Sequence, residues 1–176
     1  MNKRNISLYK KMFVIILIIV VVIIAIFSYY LYKIDQNHLQ KFDKTSNKVI
    51  QETELSDIKE KYYFQENEFY HIFKGESDSQ EEMFASVNFP EEAKKIENDN
   101  IKTYKSEDLV SEETILNEWE QTCNQCEFIK IQPAIIDNEL LWEIKYNDAD
   151  NRYVFDYYLM SDGTDFESFR LRRNFN

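Results

Sequence analysis

The sequence predicts an α+β protein: an N-terminal transmembrane helix followed by two tandem units, each a helix packed on a three- to four-stranded antiparallel sheet. Three observations predict it. No charged residue occurs from Met12 to Tyr32. Beyond that run, a stretch with helical spacing of apolar residues is followed by runs that alternate with period two. The same succession then occurs a second time.

Residues 12–32, largely Ile, Val and Leu, would span roughly 30 Å as a helix, the thickness of a bilayer's hydrocarbon core. Lys3, Arg4, Lys10 and Lys11 precede them with no acidic residue nearby, which predicts a short cytoplasmic tail over residues 1–11 and a single-pass orientation with the remainder outside. Ala25 and Phe27 do not make a small-x-small cleavage site before Ser28, so the segment is expected to stay uncleaved.

Charge divides the chain at the same place. Of 21 Lys and Arg residues, five lie before residue 34, which leaves 16 beside all 32 Asp and Glu residues. Such an acidic surface repels nucleic acid and anionic lipid headgroups. Aromatic residues make up 15% of the chain, which suits a folded core rather than disorder.

The first unit is expected over residues 33–98. Leu39, Phe42, Val49 and Ile50 share one helical face in a stretch free of Gly and Pro that runs to about Asp57. Lys61–Gln65 and Phe69–Lys74 flank Glu66-Asn67-Glu68, a hairpin signature. Met83, Ala85, Val87 and Phe89 alternate as in a half-buried strand, and Pro90 would open a short helix over Glu91–Glu97. A connector is expected over residues 99–110.

The second unit is expected over residues 111–176. Ser111 is placed to cap a helix whose first turn holds Glu112 and Glu113, with Ile115, Trp119 and Cys123 on one face. Strands follow at Phe128–Ile136, with Pro133 pointing to an edge or bulge, at Leu140–Tyr146, at Tyr153–Leu159 and at Phe166–Arg172. Trp119 and Trp142 are expected to meet in the core, with Glu139, Glu143 and Lys145 on the opposite face.

Lys61-Tyr-Tyr63, Val110-Ser-Glu-Glu113, Leu140-Leu-Trp-Glu-Ile-Lys-Tyr146 and Tyr157-Tyr158 before Ser161-Asp-Gly-Thr164 resemble the TseB-like (YpmB-type) proteins of Gram-positive bacteria, relatives of PepSY and peptidase-propeptide domains. The resemblance implies two tandem cystatin-like domains outside the membrane. It also implies regulation of cell wall elongation through a class B penicillin-binding protein, with no catalytic residue and no cofactor. The chain departs from that pattern in its two cysteines and its two glycines.

Candidates for chemistry are few. Cys123-Asn-Gln-Cys126 lies at the end of a helix, where the dipole opposes the thiolate a redox enzyme needs. A zinc site would need two further ligands, and the only histidines, His38 and His71, fall in the other unit. A local disulfide is favoured over a reduced pair, and its short loop would add about 2 kcal/mol. His71, beside Phe69 and Phe73, reads as a packed residue. Arg170, Arg172 and Arg173 form the only basic cluster after the N-terminal region. They read either as charge guarding an edge strand or as a docking patch for an acidic partner surface. An inhibitor or chaperone of a secreted peptidase and a thiol oxidoreductase remain as rival functions.

Overall fold

The computed structural model describes the backbone of residues 3–88 and 100–171, with the side chains of these except at 3–12, 14, 31, 32 and 34–41. The short helix expected over Glu91–Glu97 lies outside the described residues, as do Arg172 and Arg173 and the side chain of His38. The chain divides into two compact units, Met1–Asp43 and Lys44–Asn176.

The first unit is helix. The first helix, α1, runs Lys3–Glu52 as one element, and its described apolar side chains between Phe13 and Tyr30 are exposed. Among the described residues, no helix is long and apolar enough to cross a membrane. This corrects the expected transmembrane helix over residues 12–32. The uncharged run is an inner stretch of α1, which continues past it to Glu52, in keeping with the helical face expected over Leu39, Phe42, Val49 and Ile50. The end residues Met12, Leu31 and Tyr32 lie outside the described side chains.

The second unit holds two antiparallel sheets of four strands each, and in both the strands lie side by side in chain order. The last turns of α1 belong to this unit. There Thr45, Ser46 and Val49 are buried, and Thr45 Oγ1 lies 2.7 Å from Nδ1 of His71. His71 is therefore the packed histidine that its neighbours suggested. The helix stops at Glu52 rather than near Asp57, where Thr53 turns its hydroxyl back to the Val49 carbonyl. Strand β1 (Leu55–Gln65) starts at once with the fully buried Leu55, and β2 (Phe69–Ser77) pairs with it.

Strand β3 (Glu82–Asn88) is followed by β4 (Ile101–Lys105), which completes the first sheet. The described part of the expected connector, 100–110, thus holds a strand and a 3₁₀ turn at Ser106–Asp108. The second half then repeats the pattern of the first. Helix α2 (Glu112–Thr122) is capped as expected, with the Ser111 hydroxyl accepting from the Thr114 N–H. Strands β5 (Glu127–Ile136), β6 (Glu139–Asn147), β7 (Tyr153–Leu159) and β8 (Asp165–Leu171) form a simple meander. Asp137 and Asn138, both at positive φ, make the two-residue β5–β6 turn, a geometry that matches the twist of a hairpin. Pro133 lies on the edge strand β5, while the bulge falls between Phe128 and Lys130.

The two halves are not separate domains strung in tandem, which is a second correction. One core runs through both sheets, from Phe64, Ile72 and Phe84 to Ile115, Ile135 and Trp142. Trp142 stacks edge-on against Phe84 of the first sheet at 6.0 Å, whereas Trp119 meets Tyr146 and Phe128 of the second. Strand β6 is central and buried on both faces, so Glu143 is not the solvated residue its alternation suggested. It is 2% exposed and takes hydrogen bonds from Gln132 Nε2 at 2.6 Å and the Tyr157 hydroxyl at 2.7 Å. Lys145 Nζ, 2.9 Å away, supplies the opposite charge. A buried carboxylate so fully partnered is a structural element of the sheet.

Candidate functional site

Helix α2 covers only part of the sheet behind it. Of its buried residues Ile115 and Trp119, Trp119 meets Phe128 of β5 and Tyr146 of β6, and a groove of about 1020 Å³ remains beside its C-terminal end. Tyr146, Asp156, Tyr158 and Arg170 of β6, β7 and β8 line it together with Glu118, Trp119 and the two cysteines. The β6–β7 turn contributes Asp148, Asp150 and Arg152. Register explains the shared face: Tyr146 pairs with Val154 and Val154 with Arg170, while Ile144 pairs with Asp156 and Asp156 with Ser168.

Two of the features singled out in the sequence meet here. Cys123 and Cys126 are joined in a disulfide, with Cys123 as the C-cap of α2. The bridge closes the chain reversal between α2 and β5. At this end of a helix the dipole works against a thiolate, so the pair has the placement of a staple. Arg170 stands on the edge strand β8 and faces the same groove. Among the described residues it makes no ion pair, and its charge bears on the Tyr146 hydroxyl.

Sequence reading missed most of the remaining lining, because it comes from three separated elements. The turn Asp148–Asn151 was legible as a turn, but its role was not. Asp148 accepts from the backbone N–H of Asp150 and Arg152 and from the Arg152 guanidinium at 2.7 Å. Asp150 takes a second nitrogen of Arg152 at 3.0 Å. Loss of hydration opposes ionisation of Asp148, but the Arg152 contacts outweigh it and hold the carboxyl below its usual range. Asp156 accepts from the hydroxyls of Tyr146 at 2.7 Å and Ser168 at 2.6 Å. It has no cationic partner among the described residues.

Tyrosines dominate the electrostatics. Burial pushes the Tyr158 hydroxyl well above its ordinary value of 10.0, and the carboxylates of Asp156, Asp165 and Glu118 push it further the same way. Tyr146 and Tyr157 are raised by burial first, then by their bonds to Asp156 and Glu143. A folded state that keeps phenols neutral is stabilised fully below the unfolded value near 10.0 and loses that stability as pH rises beyond it. Alkaline titration is therefore expected to produce phenolate absorbance of these residues together with loss of the folded signal by circular dichroism. Their ionisation in a protein that stays folded at its ordinary pH would contradict the environment described.

Among the described residues, no group of three or more His, Cys, Asp or Glu side chains is placed to hold a metal ion. The groove offers hydrogen-bond acceptors, aromatic faces and negative charge, which is equipment for binding.

No protein-family model matches the chain, and no curated protein matches it. Among solved structures it is similar to the YpmB protein from Bacillus subtilis, with a TM-score of 0.63 and 20% identity. The similarity covers 73% of this chain and 95% of that one. At this identity the likeness concerns architecture, and the chain has a YpmB-like fold.

Proposed function

We propose that this chain is a non-enzymatic regulator of cell wall elongation that binds a class B penicillin-binding protein outside the cytoplasm. The observation that carries the reading is the likeness to YpmB over nearly all of that protein, in line with the family resemblance of the Leu140–Tyr146 and Ser161–Thr164 motifs. Two features of the molecule support it. A disulfide between Cys123 and Cys126 suits an oxidising compartment. The open groove beside α2 gives a binding module somewhere to bind.

Photo-crosslinking in living cells tests the proposal. With a photoreactive residue at position 118 or 170, both on the groove, the expected adduct is a class B penicillin-binding protein. A secreted peptidase in its place would turn the reading into that of a PepSY-type inhibitor. If Cys123→Ser with Cys126→Ser abolished function while the adduct persisted, thiol oxidoreduction would take over. An absence of any transpeptidase adduct from positions around the groove sinks the proposal.

A further inference from the structure

The charge of the groove is lopsided. Arg152 is consumed by Asp148 and Asp150. Glu118, Asp156 and Asp165 have no cationic partner among the described residues, and Arg170 alone stands unpaired against them. Those three carboxylates come from α2, β7 and β8, and with Tyr158 they line the same groove. Three different elements thus bring negative charge to one groove, a field that attracts a cationic ligand.

The groove has two further features. Trp119, 5% exposed, has its indole Nε1 buried without a hydrogen-bond partner, although such donors are nearly always satisfied. The residue lies on the groove wall. Tyr146, Tyr158 and Phe166 add aromatic surface, the kind of face over which ammonium and guanidinium groups sit.

We infer that the groove between α2 and strands β7–β8 takes a Lys- or Arg-bearing segment of the partner protein, its cation among Glu118, Asp156 and Asp165. The occupant follows from charge complementarity, and its identity as part of a protein partner rests on the binding function proposed above. The polarity is opposite to that of an arginine patch seeking an acidic surface. Arg170 sits at the edge of a field it does not balance.

The test uses the full chain in non-ionic detergent and two fluorescent probes, the peptides Ala-Lys-Phe-Lys-Ala and Ala-Glu-Phe-Glu-Ala. Fluorescence anisotropy is expected to show the lysine peptide binding at least ~10-fold more tightly, with affinity falling as salt is raised. Glu118→Gln with Asp165→Asn changes two exposed side chains that hold no other element in place. This pair is expected to weaken the lysine peptide ~10-fold with an unchanged melting temperature. Equal binding of the two peptides, or undiminished binding by the folded double variant, overturns the inference. Crosslinking to a transpeptidase that survives the double variant would remove the groove from the interface and leave the regulatory reading standing. Lysine-peptide binding without any transpeptidase adduct would do the reverse.

Discussion

Replacing Trp142 with alanine is expected to destabilise the Lys44–Asn176 unit by about 3–5 kcal/mol, the usual cost of deleting a large buried aromatic. Trp142 is 3% exposed and does three things at once. Its ring fills the space between the sheets, where Phe84 meets it edge-on. Its Nε1 donates to the Val110 carbonyl at 2.9 Å, which pins the chain just before α2. Its backbone lies in β6, paired with Pro133 on one side and Tyr158 on the other. A melting temperature lowered by roughly 10 °C or more is the expected reading. Trp142→Phe keeps most of the ring and loses the donor, so a smaller loss of about 1–2 kcal/mol is expected, mostly the unpaired carbonyl. If both variants melted together near the wild type, the shared core would have to be abandoned.

The same residue marks the boundary of what the sequence could disclose. Period-two alternation placed Leu140, Trp142, Ile144 and Tyr146 on one face of a strand, and all four are buried. Alternation cannot say whether the opposite face is wet. Because β6 lies inside its sheet, Leu141 and Glu143 are buried as well. The partners of Glu143 come from β5 and β7, at separations of 11 and 14 residues, beyond the reach of a local pattern. Strand β4 was missed for the opposite reason. Ile101-Lys-Thr-Tyr-Lys105 is an edge strand with every residue exposed or half-buried, and its composition reads as a polar linker. Capping at Ser111, the β5–β6 turn and the limits of β7 were legible because each depends on residues adjacent in the chain. The groove was not, since its carboxylates converge only after α2, β7 and β8 have been brought side by side.

Gly75→Ala is expected to be far more damaging than the addition of a single methyl group usually is. Gly75 is one of two glycines in the chain, and no positive φ requires it. Space does. A Cβ at this position would lie 2.0 Å from the carbonyl oxygen of Asp57 and 3.0 Å from the Ile58 Cα, both backbone atoms that cannot swing aside. The close approach arises where β1 is irregular, with register shifts between Leu55 and Asp57 and between Ile58 and Glu60. A bulge of this kind pushes one strand toward its neighbour, and β2 meets it with the one residue that lacks a side chain. Alanine must force β1 and β2 apart there, and the movement reaches Leu55, which is fully buried. About 3 kcal/mol or more is the expected loss, at the upper end of overpacking effects. Thermal melting checks it directly, and Gly163→Ala is the informative comparison. There the added carbon would meet Ile115 and Val110 side chains at ordinary distances, 3.5 Å and beyond, and the difficulty is the φ of +79°. That strain costs about 1–2 kcal/mol, so Gly75→Ala should melt well below Gly163→Ala. The reverse order would mean that the β1–β2 irregularity relaxes freely, and that the first sheet does not hold β1 in the register described.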